Sequence, residues 1–128
     1  MIVGKRKPVS DDSALGIRSR KSIDYAISQI QNSPLSKYVD SLYLYGSCAR
    51  REQKFGSDVD LFLVLNDKCS LEQHKSEIFA LKGCVTPVKY DLPEVDLTVV
   101  IGNDWRQNNL GYYKNIIQDG VSLWLPLL

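Results

Sequence analysis

The sequence predicts a small α/β domain of the α+β kind, a small mixed β-sheet flanked by helices. Three short runs rich in β-branched, aromatic and leucine residues carry that expectation: VDSLYLY (39–45), DVDLFLVL (58–65) and VDLTVVI (95–101). Segments of helical periodicity and clusters of turn residues separate them. The middle run is too apolar in its second half for a half-exposed strand, which places it at the centre of a sheet covered on both faces. A chain of 128 residues with 44% hydrophobic content can bury one core and is too short for two ordinary domains. Residues 1–128 therefore read as one domain, with 1–9 as a flexible tail.

In chain order, Ser10 to Asp12 offer N-cap chemistry for a first helix. Its Ile23, Ala26, Ile27 and Ile30 recur at helical spacing until Asn32-Ser33-Pro34 breaks the pattern. The first strand stops at Gly46, and the polar, basic stretch from Ser47 to Phe55 suggests a short helix and a loop. After the second strand, Asn66-Asp67-Lys68 makes a turn, and Ser70 with Gln73 forms a capping-box pattern that opens a helix to Lys82, ended by Gly83. A loop with Pro87 and Pro93 leads to the third strand. Asn103 is the expected cap of a last helix with Trp105, Tyr112, Tyr113, Ile116 and Ile117 as its apolar stripe. Asp119-Gly120 supplies its C-terminal turn, and Val121 to Leu125 is a candidate edge strand.

The formal charge is +1 with no long single-sign block, which argues against an extended nucleic-acid surface or a membrane-surface helix. Cys48, Cys69 and Cys84 stand far apart, so neither a disulfide framework nor a zinc knuckle is expected. The N-terminus has no signal-peptide stretch, and no apolar run reaches membrane-spanning length; the expected location is cytoplasmic. His74, the only histidine, falls in a predicted helix, which makes a serine-hydrolase triad with Ser47 an unattractive reading.

Chemistry concentrates where strands expected to be buried carry acids: Asp58 and Asp60 in the second, Asp96 in the third. Alternation sends Asp58 and Asp60 to one face while Val59 and Leu61 enter the core. Carboxylates so close repel unless a cation lies between them, and Mg²⁺ suits such a site because it takes carboxylate oxygens and keeps waters and substrate phosphates as its other ligands. With Asp96 on the neighbouring strand, three carboxylates suit two Mg²⁺ ions, or Mn²⁺ in their place. Upstream, Gly46-Ser47 stands where a strand gives way to a helix, a place where backbone N–H groups and the helix dipole favour phosphate; Arg50 or Arg51 adds charge one turn later. Asp91 and Glu94 are alternatives to Asp96, and an exposed turn aspartate is the plainer reading of Asp58.

Gly-Ser, ten intervening residues and Asp-x-Asp, in GSCARREQKFGSDVDLFLVL after the strand LYLY, resembles the signature of the DNA polymerase β-like nucleotidyltransferase superfamily. The chain looks most like its minimal nucleotidyltransferases, short proteins often paired with a helical HEPN toxin. VDLTVV resembles the strand with the third carboxylate, and YYKNIIQDGVSLW resembles the closing helix and strand. The resemblance implies the polymerase β-like fold, a triphosphate held by Gly46 and Ser47, metals on Asp58, Asp60 and Asp96, and an acceptor hydroxyl that Asp96 helps to activate. Arg51 stands where family members often have glycine, a departure that bears on the loop between Arg51 and Ser57.

The expected function is metal-dependent transfer of a nucleoside monophosphate, AMP from ATP, to a hydroxyl on a protein partner such as a HEPN toxin, in an antitoxin role. The chain ends eight residues after Gly120, so a partner or a second copy is expected to complete the nucleotide site. The rivals are an aminoglycoside-type small-molecule nucleotidylyltransferase and a non-catalytic nucleotide- or partner-binding module.

Overall fold

A computed structural model describes residues 14–49, 58–88 and 92–124. Helix α1 (Ala14–Gln31) buries Ile23, Ala26 and Ile30, the face its periodicity marks. It gives way to a 3₁₀ turn, Pro34–Tyr38, where the Ser33 hydroxyl accepts from the Leu35 N–H at 3.1 Å. Strand β1 (Val39–Tyr45) follows and runs directly into α2 (Gly46–Ala49). Then come β2 (Val59–Leu65), α3 (Leu71–Cys84) and β3 (Val95–Ile101). A second 3₁₀ turn (Asp104–Gln107), α4 (Gly111–Asp119) and β4 (Val121–Ser122) complete the described chain.

The four strands form one mixed sheet in the order β3-β2-β1-β4. Strand β1 is antiparallel to β2 and β4, whereas β2 and β3 are parallel, so the chain must cross over between them, and α3 lies on that crossing. The inner strand β2 is apolar on both faces, as its composition predicts. Its Leu61, Leu63 and Leu65 pack with Ile23, Ala26 and Ile30 of α1 and Leu81 of α3. Its Phe62 and Val64 pack on the other face with Trp105 and Ile116. Helices α1 and α3 thus cover one face and α4 the other.

Three strands lie where the sequence puts them, with β2 starting one residue later, at Val59. Two helix expectations need correction. Gly83 does not end α3, which continues through Cys84; a Cβ at Gly83 would meet nothing, so neither a tight turn nor a close contact requires glycine there. The Ser70 hydroxyl does cap this helix, accepting from the Gln73 N–H at 3.4 Å. Asn103 makes no side-chain cap, and the expected last helix is two pieces. Asn108 is extended between them, and its side-chain carbonyl accepts from the Leu110 N–H at 3.0 Å, a local bond that competes with the helical ladder.

At the other end of α4, Gly120 donates to the Ile116 carbonyl at 2.8 Å, and a Cβ on Gly120 would collide with that oxygen. The glycine lets the helix end close against β4. The expected edge strand is present as Val121–Ser122, paired with Leu44 and Tyr43; Leu125 lies outside the described residues, as do the tail and the cap at Ser10 to Asp12.

Because Gly83 sits inside a helix in open space, Gly83→Ala removes a backbone-entropy cost without a clash and should raise the unfolding free energy by about 0.5–1 kcal/mol. Urea denaturation measures it; a loss of stability would mean that Gly83 has a conformational role.

Candidate active site

The register of the sheet builds the site. Tyr45 pairs with Asp60 across the antiparallel ladder, and Asp60 pairs with Asp96 across the parallel one. Tyr45, Asp60 and Asp96 therefore form one row across three strands, neighbours about 4.8 Å apart along the hydrogen-bonding direction. The row is held by contacts at its margins. The Val59 N–H donates to the Glu94 carbonyl at 2.8 Å, and the buried Ser22 hydroxyl of α1 donates to the Pro93 carbonyl at 2.7 Å, so the start of β3 is fixed to β2 and α1. The Thr86 hydroxyl closes the same segment, accepting from the Val95 N–H at 3.0 Å.

Gly46 is the corner of the site. It adopts φ +75°, a conformation that L side chains rarely take, as β1 turns into α2. A Cβ on Gly46 would collide with Asp60 Oδ2, so glycine here also lets the turn approach the carboxylate. Next to it, the buried Cys48 Sγ lies 3.7 Å from the Asp58 carbonyl and 3.6 Å from the Ser19 hydroxyl, tying α2 to the start of β2 and to α1. These are packing ties for a reduced thiol; none of the three cysteines is in a disulfide.

The predicted site residues are placed as follows. Gly46, Asp60 and Asp96 come together at the end of the sheet. Asp58 stands just outside the β2 ladder and is exposed, as is Asp96, whereas Asp60 is partly buried. Among the described residues neither the Asp58 nor the Asp96 carboxylate has a hydrogen-bond or ion-pair partner. No group of three His, Cys, Asp or Glu side chains is close enough to hold a metal ion among the described residues. The compact acidic unit is thus the pair Asp60 and Asp96. Of Ser47 only its place in the α2 backbone is described, and Arg50, Arg51 and Asp91 lie outside the described residues. His74 is remote from this corner: its Nδ1 lies 3.0 Å from the Ser70 carbonyl and its ring packs edge-on against Tyr38.

A chain of hydroxyls behind the row was not foreseen from the sequence. Tyr112 of α4 lies 2.8 Å from the Tyr45 hydroxyl and donates to Thr98 Oγ1 at 3.1 Å. Thr98 is two residues beyond Asp96 on the same face of β3, and the Tyr112 ring packs edge-on against Phe62 and Tyr45. Burial, and then the bond to Tyr112, push the Tyr45 hydroxyl far above its usual range; a hydrogen bond with Thr98 opposes the rise, and the negative charge of Asp60 adds a smaller push upward. The available signal was positional: Tyr45 precedes the glycine corner and Thr98 follows Asp96 at strand spacing.

The donor set fits a hard divalent cation. Carboxylate oxygens at a solvent-facing corner suit Mg²⁺, which is commonly held by one or two carboxylates plus waters and substrate phosphates, without an all-protein cage. Two paired aspartates beside a glycine corner meet that requirement; a closed three-carboxylate cage is not needed for it.

A strand turning at glycine into a helix, with aspartates paired across the next two strands, is an arrangement suited to holding polyphosphate and cation together. The chain belongs to the polymerase beta nucleotidyltransferase family, whose model matches residues 27–125. The fold is similar to the crystal structure of a candidate nucleotidyltransferase from Sulfolobus solfataricus, with TM-score 0.54 and 17% identity over 95% of this chain and 91% of that one. A toxin-antitoxin structure with AMP-PNP gives TM-score 0.49 and 20% identity over 79% of this chain and 71% of that one. A comparison with curated proteins found no match.

Gly46→Ala tests the corner. A side chain at φ +75° that also displaces the Asp60 carboxylate should lower the unfolding free energy by about 1–3 kcal/mol in a urea titration. An unchanged midpoint would mean that the turn tolerates a Cβ and that glycine is not required there.

Proposed function

We propose that this member of the family transfers a nucleoside monophosphate, AMP from ATP, to a hydroxyl of a protein partner, with Mg²⁺ at Asp60 and Asp96 and with Asp58 completing the set when nucleotide is bound. The observation that carries the reading is the register pairing of Asp60 with Asp96 beside the positive-φ turn at Gly46. Gly46 and the N–H groups at the start of α2 hold the phosphates, with Ser47 and Arg50 as further donors; this placement of Ser47 and Arg50 rests on the motif.

In the reaction the acceptor oxygen bonds to the α-phosphorus, the bond from that phosphorus to the bridging oxygen of the β-phosphate breaks, and pyrophosphate leaves. The acceptor proton passes to a base, for which Asp96, exposed and without a partner among the described residues, is the candidate. Bound divalent ions supply charge neutralisation on the entering and leaving oxygens.

The protein acceptor rests on the sequence resemblance. A HEPN-type toxin is the partner that the sequence resemblance implies, and the reading is that of an antitoxin enzyme acting in the cytoplasm. No helix among the described residues is long and apolar enough to cross a membrane.

The experiment is incubation of the protein with ATP labelled at the α-phosphate, Mg²⁺ and its co-encoded neighbouring protein. Label should move to the neighbour with the wild type, and the rate should drop by at least about a hundredfold with Asp58→Asn/Asp60→Asn. Failure to label the neighbour with any nucleoside triphosphate would remove the proposed acceptor, and undiminished transfer by the double variant would remove the proposed metal site.

A further inference from the structure

A cavity of about 140 Å³ lies on the α4 side of the sheet, among the 3₁₀ turn at Asp104–Gln107, α4, β1 and β4. Tyr43, Trp105, Arg106, Ile116, Ile117 and Ser122 are among the residues that line it. It lies toward the β4 edge, whereas Asp60 and Asp96 stand on β2 and β3, so the proposed function makes no use of it.

Its side chains are rich in donors. Arg106 Nη2 donates to the Tyr43 hydroxyl at 3.0 Å, which leaves the Tyr43 proton to be donated onward. The guanidinium lies over the Trp105 ring, 4.7 Å from its centroid. No carboxylate among the described residues pairs with it, neither Asp104 in the same turn nor Asp119 at the end of α4. The Trp105 indole N–H, a group that can only donate, is buried without an acceptor among the described residues. Buried donors left in that state are uncommon in folded proteins, and the partner this one lacks is an acceptor.

We propose that this cavity is a binding site for a small planar organic carboxylate with an apolar body about the size of one six-membered ring. Engineered cavities of roughly 150 Å³ hold a benzene ring, and this one is of that size. The Trp105 ring, Ile116 and Ile117 supply its apolar lining, and the Arg106 guanidinium matches a carboxylate in plane and charge. The Trp105 N–H and the Tyr43 O–H are further donors for the same two oxygens. Arg106 is the exposed member of the set, so the ligand reaches the covered indole N–H by drawing the guanidinium aside with its carboxylate. The site is independent of the metal reading and does not require Asp60 and Asp96 to bind a cation.

The probe is benzoate, titrated into the full chain and followed by the indole N–H signals in proton–nitrogen correlation NMR spectra. The chain has two tryptophans, so the indole signal that remains in Trp124→Phe is that of Trp105. Benzoate should bind saturably with a Kd of about 1 mM or tighter and move the Trp105 N–H signal downfield, as a hydrogen bond to a carboxylate does. Benzamide, of the same shape without the charge, should bind roughly tenfold more weakly, and so should benzoate to Arg106→Gln. Arg106 is exposed, so its replacement should leave the fold intact, which the rest of the spectrum checks. Absence of saturable benzoate binding would overturn the proposal, as would binding that leaves the Trp105 signal unmoved or that keeps its full strength in Arg106→Gln. Inorganic phosphate competing as well as benzoate itself would reduce the site to a surface anion contact and overturn the proposal too.

Discussion

The parallel register between β2 and β3 is the constraint on which the rest depends. It sets Asp60 opposite Asp96, two like charges about one strand spacing apart. Val59 and Leu61 on either side of Asp60 are fully buried, so the acidic pair interrupts an otherwise apolar strand. The anchoring contacts of Ser22, Glu94 and Thr86 hold the register that creates the pair, which the proposed function reads as a cation site.

The glycine corner depends on the same register. Gly46 follows Tyr45, the third member of the row, so the turn into α2 falls beside Asp60 because β1 is in step with β2. On the proposed function, backbone geometry then brings the phosphate cradle and the cation site to one place, and few side chains are needed to aim them. The packing on the far side, with Leu61, Leu63 and Leu65 against α1 and α3, serves to keep that sheet end in place.

Much of this was legible in the sequence. The three strands are strongly patterned, and β2 declares its inner position by apolar residues at both parities; Leu63 and Val64 are both buried. Asp58, Asp60 and Asp96 stand out because acids are costly in such strands. The tie between Gly46 and Asp60 follows from the motif, although its tightness does not, since it depends on a φ angle. Helix ends were less legible. Gly83 carries boundary chemistry that α3 does not use, and although Asn103 does precede a helical turn, the local bond from Leu110 to Asn108 splits the expected single last helix in two. The hydroxyl chain was hidden because its members, Tyr45, Thr98 and Tyr112, lie far apart in sequence and meet only through the sheet register and the docking of α4. Tyrosines in an apolar stripe read as core, and Tyr113 largely is; Tyr112, one residue earlier, turns its hydroxyl to the site.

The central claim is that the Asp60 and Asp96 pair, next to the Gly46 turn, is where cation and triphosphate meet. The most direct measurement is an anomalous difference map from crystals grown with Mn²⁺ and a non-hydrolysable ATP analogue. The account predicts a Mn²⁺ peak within about 2.5 Å of carboxylate oxygens of Asp60 and Asp96, with the β- and γ-phosphates against the N–H groups at the start of α2. Nucleotide bound elsewhere on the sheet, or Mn²⁺ held without either aspartate, would contradict it.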